Sequence, residues 1–129
     1  MNNNQNTPNV ENMRTWVARL RDPNAKQTRF ALRSRDAMCC LGHACDASGL
    51  GEWMGEWDKD QTYLQEKLAL PLGVADWLGV TVDPELVDVH DRATTKRASA
   101  INDSGGEGYS LAQIADCVEA TWPEVVVAK

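Results

Sequence analysis

Four groups of residues have types and spacing that suit chemistry. Cys39, Cys40, His43 and Cys45 stand close together, and Cys117 is the fourth cysteine. Thiolates and imidazoles ligate zinc, but structural zinc sites draw on Cys-x2–4-Cys pairs with a second pair elsewhere. Adjacent Cys39 and Cys40 do not supply that pattern. Cys40 and His43 also have the i, i+3 spacing of a nucleophile and its base on a helix. No orienting partner or oxyanion hole accompanies them. Free cysteine packs as a small hydrophobe and is among the most buried residue types. The expectation is therefore core packing, with no metal, no cofactor and no catalytic residue.

The second group is cationic and aromatic. Arg29, Arg33 and Arg35 share one face of a strand if the strand runs on through them, and three guanidinium groups on one face need carboxylates or phosphates. Trp53 and Trp57 lie in a stretch with no clean period. They read either as lids on the core or as a stacking surface. The third group is Asn102, Asp103, Ser104 and Gly105, in a glycine-rich turn read over Ala100–Tyr109 before a helix start. Backbone N–H groups in such a place can hold an anion, although the phosphate-loop pattern Gly-x4-Gly-Lys-Ser/Thr is absent. The alternative is a tight turn whose Asn and Asp bond their own backbone. The fourth group, His90 with Asp88 and Asp91, has a composition common by chance in a polar stretch, and no role is assigned to it.

The elements that must position these groups follow from periodicity. Val10, Met13, Val17 and Leu20 make one helical stripe, with Asn9 as N-cap. Asp22-Pro23-Asn24 ends it. Phe30 and Leu32 alternate with Arg29, Ala31 and Arg33, which predicts a half-buried strand over Gln27–Arg33. Ser34-Arg35-Asp36 is a turn, and Ala37–Cys39 is the return strand. A central helix begins near Cys40, with Met38, Leu41, Cys45 and Ser48 on one stripe, and stops at Gly49. Gly51 to Asp60 reads as a loop. Tyr63–Leu68 reads as a short helix, or a strand entering one. Pro71 opens a helix that Gly79 closes. Asp83-Pro84-Glu85 reads as another helix start. His90 to Ser99 is weakly patterned. Ser110 and Gln113 form a capping box for a last helix along Leu111, Ile114, Ala115 and Val118, which Trp122-Pro123 stops. The sum is a mostly helical α+β fold, a small single domain with a short β-hairpin packed on a central helix. Residues 1–9 read as a disordered polar lead, 10–122 as the globular domain and 123–129 as a tail.

Composition narrows the function. The chain has 129 residues, 43% hydrophobic and 25% charged, with net charge −6. No apolar run approaches the roughly 20 residues needed to span a bilayer, so no membrane partner is expected. The polar N-terminus has no signal-peptide pattern. The expected location is cytoplasmic, with reduced thiols. An acidic chain repels duplex nucleic acid. The charge is segregated. Arg14, Arg19, Arg21, Lys26, Arg29, Arg33 and Arg35 stand against Asp22 alone, whereas Asp36 to Asp91 holds twelve acids against Lys59 and Lys67. Either the two segments neutralise each other, or the basic one meets an anionic ligand.

Several segments carry a resemblance in common order. These are Trp16-Val17-Ala18-Arg19-Leu20, Cys39 through Asp46, Trp77-Leu78-Gly79-Val80, Ile101-Asn102-Asp103-Ser104-Gly105 and Ile114-Ala115-Asp116 with Val118-Glu119. From about Val10 to Glu119 the chain resembles a family of small proteins of tailed bacteriophages and prophages. His43 departs from the usual Val, Ile101 from the usual Leu, and Tyr109 stands where Phe is common. The resemblance implies a phage origin in an infected bacterial host and supplies no catalytic residues.

The leading expectation is a non-enzymatic phage accessory protein, a counter-defence factor that sequesters a small anionic host ligand such as a nucleotide second messenger. Its candidate ligand-binding residues are Arg29, Arg33, Arg35, Asn102, Asp103, Ser104, Gly105, Trp53 and Trp57. By analogy with ligand sponges, it would form a homo-oligomer. The first alternative is an acidic protein–protein inhibitor that mimics nucleic acid toward a host defence effector or nuclease. The second is a thiol- or zinc-dependent protein.

Overall fold

The structure, a computed structural model, describes residues 7–91, 94–103 and 109–126. Helix α1, Val10–Arg21, starts where the Asn9 side chain accepts the Asn12 N–H, and it buries Met13, Trp16, Val17 and Leu20. Strands β1 (Arg33–Ser34) and β2 (Ala37–Met38) form a short antiparallel hairpin, followed by the central helix α2, Cys40–Ser48. Strands β3 (Trp53–Met54) and β4 (Asp60–Tyr63) extend that hairpin into a sheet of order β2-β1-β4-β3. Helix α3 (Leu72–Leu78) comes next. Strands β5 (Glu85–Asp88) and β6 (Thr94–Arg97) make a second antiparallel pair, before helices α4 (Ala98–Asp103) and α5 (Leu111–Thr121). The domain is a small α+β fold, mostly helical.

Helix α1 packs against α2 on one side and α5 on the other, and β5 packs on α5. The central helix is short and enclosed over its first six residues. Cys40, Leu41, Gly42, His43, Ala44 and Cys45 are all buried. The single stripe read from the sequence is therefore too narrow: the first turns of α2 have neighbours on every side. The indole Nε1 of Trp16 donates to the Cys40 carbonyl at 2.9 Å and pins α1 to the start of α2. Gly42 lets the β1–β2 hairpin sit directly on α2. A Cβ there would lie 1.9 Å from the Leu32 carbonyl oxygen. Gly49 and Gly79 end α2 and α3 in left-handed conformation, at φ 66° and 79°, where a side chain is disfavoured.

The structure corrects five local expectations. The strand over Gln27–Arg33 contracts to Arg33–Ser34, with Gln27 making only an isolated bridge to Met38. Phe30 is the cause. It sits at φ 67°, 66% exposed, because its N–H bonds the Asp103 carboxylate at 2.8 Å and turns the chain outward. The loop over Gly51–Asp60 contains β3 and the start of β4. Tyr63 ends β4, and Tyr63 to Glu66 is a tight turn rather than a helix. Asp83-Pro84-Glu85 starts strand β5, and Asp83 instead accepts the Ser99 N–H and hydroxyl near the start of α4. The segment from Ala100 to Asp103 belongs to helix α4, so Asn102 and Asp103 are helical rather than part of a turn. Packing also runs past Trp122: Pro123–Val125 form a 3-10 turn, Val125 is buried, and its carbonyl accepts the Arg14 Nε–H.

Candidate functional site

Three of the sequence's candidate groups resolve into structural roles. The thiols are the first. All four cysteines are buried and free. Cys39 Sγ accepts the Gly42 N–H and caps α2, and Cys40 S–H points to the Ala98 carbonyl. Burial pushes the Cys39 thiol up to about 11 and raises Cys40, Cys45 and Cys117 as well. His43 is not set to deprotonate Cys40. Its Nε2–H donates to the Lys26 carbonyl at 2.8 Å, and burial lowers its pKa, so it stays neutral. Among the described residues, no three His, Cys, Asp or Glu side chains are grouped to hold a metal ion. A buried neutral thiol is a poor nucleophile and a poor metal ligand. In the native protein, a thiol-specific disulfide reagent is expected to leave all four cysteines unmodified over minutes and to label all four after denaturation. A fast-reacting thiol in the native state would contradict the packing role.

The Asn102 turn is the second. The Asn102 side chain is fully buried and committed. Its Oδ1 accepts the Cys40 N–H and the Gln27 Nε2–H, each at 3.0 Å, and its Nδ2 donates to the Thr28 carbonyl at 2.9 Å. Asp103 Oδ1 accepts from Phe30 N–H and from Asn102 Nδ2. These hydrogen bonds tie α4 to the start of α2 and to the 27–30 segment; Asn102 is enclosed, whereas Asp103 stays partly exposed beside Phe30 and Ser99. Ser104 and Gly105 lie outside the described residues.

The His90 group is the third. Asp88 is fully buried and receives the Tyr109 hydroxyl, the Lys96 ammonium and the His90 N–H. Burial by itself would raise its pKa. The hydrogen bonds outweigh burial and hold it below the ordinary carboxylate range. His90 Nε2 lies 3.4 Å from Asp116, which also pairs with Arg21. The network staples the β5–β6 pair to α5 and α1.

The cationic and aromatic group is different. Arg33 pairs with Gln61 across β1–β4, and Trp53 pairs with Tyr63 across β3–β4. The Arg33 guanidinium carbon lies 5.4 Å from the Trp53 ring centroid and 5.8 Å from that of Trp57. Both are cation–π distances. Trp53 is held from behind. Its Nε1–H donates to Asp46 at 3.0 Å, its ring stands 4.9 Å from the Tyr63 ring, and Asp46 takes Arg19 at 2.8 Å. Burial pushes the Asp46 carboxyl up, but the Arg19 and Trp53 hydrogen bonds and the nearby Arg19 and Arg33 charges bring it below its usual range. Trp57 is 59% exposed and leaves one side open to solvent. Sequence reasoning missed Asp46 and Tyr63, and no periodicity marks a helix carboxylate as the partner of an indole seven residues on.

Arg33 Nε–H donates to the Arg35 carbonyl at 2.6 Å, and Arg35 turns the chain at φ 58°. The one-face arrangement of Arg29, Arg33 and Arg35 therefore does not form: the strand is too short, and Arg35 lies in the turn. Arg29 is not part of the Arg33–Trp53–Trp57 contact, and its buried Nε has no partner. The fate of the basic segment is nevertheless informative. Arg19 pairs with Asp46, Arg21 with Asp116 and Glu119, and Lys26 with Asp36. Arg14 donates to the carbonyls of Glu124 and Val125. Among the described residues, Arg29, Arg33 and Arg35 have no carboxylate partner.

A family model described as a domain of unknown function (DUF8296) matches residues 9–122, and the chain belongs to that family. No curated protein and no solved structure is significantly similar to the chain. No helix among the described residues is long and apolar enough to cross a membrane.

Proposed function

We propose that this DUF8296 member is a non-enzymatic binding protein that holds a small anionic, nucleotide-like ligand on Arg33, Arg35 and the open face of Trp57. One observation carries the reading. Of the seven basic residues between Arg14 and Arg35, three pair with carboxylates and Arg14 bonds backbone carbonyls, and the remaining three include the arginine held against two indoles. Guanidinium N–H groups not spent on a carboxylate suit a phosphate. A half-exposed indole beside them suits a base, since stacking on an aromatic ring contributes about 1–3 kcal/mol per base. Arg33 arrives already oriented by Trp53 and the Arg35 carbonyl, which lowers the ordering cost of binding. The resemblance to phage and prophage proteins favours a counter-defence role, in which binding alone removes a host signal.

Charge reversal tests the assignment. Arg33→Glu is expected to weaken binding of a responsive nucleotide by at least about tenfold, since a charge-assisted hydrogen bond contributes about 1.5–3 kcal/mol. Trp57→Ala is expected to cost about as much. Equal affinity in Arg33→Glu and the parent, measured by calorimetric titration, would remove Arg33 from the site.

A further inference from the structure

We infer that the outer face of the β3–β4 hairpin is a docking surface for a basic, amphipathic protein segment, separate from the Arg33 platform. Met54 and Thr62 pair across the hairpin and so share its outer face. With Leu64 they line a groove of about 540 Å³ that Glu52 and Gln65 border. Met54 is 61% exposed and Leu64 43%, and β3 is an edge strand of its sheet. The groove is thus apolar, open and beside an unpaired backbone edge.

The turn that presents Leu64 is built against local preference. Tyr63 and Glu66 exchange two backbone hydrogen bonds of 2.9 Å, with Leu64 at φ 48° and Gln65 at φ 75°. Two successive positive-φ residues in a two-residue hairpin turn favour Asn-Gly. Leu and Gln bear backbone strain there. The fold holds an exposed leucine in a position that its backbone disfavours.

Charge identifies the occupant. Glu52 borders the groove, and the exposed acids Glu56, Asp58, Asp60 and Glu66 lie on the same hairpin and the turn that follows it, against Lys59 and Lys67. Of the five, Glu56 alone has an ion-pair partner among the described residues, Lys59 at 3.5 Å. Such an acid excess on one hairpin repels an anionic membrane surface, a nucleic acid and the same face of a second copy. It suits a segment that sets an apolar side chain between Met54 and Leu64 and meets the acids with Lys or Arg. This gives a location to five of the twelve acids between Asp36 and Asp91.

Fluorescence polarisation with the full chain tests this. The probes are a labelled leucine–lysine amphipathic peptide, a glycine–lysine peptide of equal charge, and a leucine–glutamate peptide. The leucine–lysine peptide is expected to bind saturably, the glycine–lysine peptide at least about tenfold more weakly, and the leucine–glutamate peptide not at all. The double variant Leu64→Asn, Gln65→Gly suits the turn and is expected to raise the melting temperature while lowering peptide affinity about tenfold. Arg33→Glu should not weaken peptide binding, which separates this surface from the anion site. Equal binding of the two lysine peptides, no saturable binding, or full affinity in the double variant would overturn the inference. So would a concentration-dependent dimer that the double variant abolishes, because the occupant would then be a second copy.

Discussion

Gly42→Ala is expected to destabilise the protein by about 3 kcal/mol or more, at the upper end of overpacking effects. The added Cβ would stand 1.9 Å from the Leu32 carbonyl oxygen, 2.9 Å from its carbon and 3.1 Å from Met38 Cβ. None of these is the far end of a flexible side chain. The Leu32 carbonyl cannot retreat freely, since it accepts the Cys39 N–H at 3.1 Å and the Leu32 N–H bonds the Lys67 carbonyl at 2.9 Å. Relief therefore requires the hairpin to lift off α2. Gly73→Ala is the control. It lies in α3 with nothing within 4 Å of the new Cβ, and there the helix preference for alanine should add up to about 1 kcal/mol. Denaturant unfolding of both variants checks the pair. A Gly42→Ala midpoint equal to the parent's would mean that the hairpin is not seated on the helix.

Asn102→Ala is expected to cost about 3 kcal/mol, a fall in melting temperature on the order of 10 °C for a domain of this size. The amide bonds the Cys40 N–H, the Gln27 side chain and the Thr28 carbonyl, and it is fully buried. Alanine leaves the first N–H of α2 and a backbone carbonyl unpaired away from water, besides a small cavity. Asn102→Asp separates packing from hydrogen bonding. It keeps the shape but removes the donor to Thr28, and it buries a carboxylate against that carbonyl. It is expected to be no more stable than the alanine variant. Thermal unfolding reads both. A loss below about 1 kcal/mol for Asn102→Ala would return Asn102 to the set of available binding residues.

The residues explain what the sequence made legible. Helices α1, α2, α3 and α5 could be read because period and caps agree: Asn9 and Ser110 cap as their types suggest, and Gly49 and Gly79 adopt the left-handed stop. Of the strands, the return strand at Ala37–Met38 could be read as well, but most of the others could not. Phe30 looks like an inward strand residue, but a carboxylate more than seventy residues away captures its N–H and turns it out. Strand β5 hides its alternation because an inward position is Asp88, an acid whose burial only Tyr109, Lys96 and the His90 N–H make tolerable. Asn102-Asp103 has turn composition but sits at the end of a helix, since its bonds run to α2 and Thr28 rather than to its own backbone. Three of the nine candidate ligand residues stand together for the same kind of reason. Arg33, Trp53 and Trp57 meet because short strands bring β1 and β3 onto β4. Asn102 and Asp103 were read from local composition, whereas their hydrogen bonds run to residues far along the chain.

The most direct measurement of the anion-binding reading is thermal unfolding of the parent chain against a panel of mono-, di- and cyclic nucleotides. A ligand present at about 100 times its dissociation constant adds about 2.7 kcal/mol to stability, a shift of several degrees here. The expected result is a shift with one class of nucleotide, lost in Arg33→Glu. No shift with any nucleotide, or the same shift in Arg33→Glu, would contradict an anion site at Arg33 and leave the acidic hairpin as the working surface of the protein.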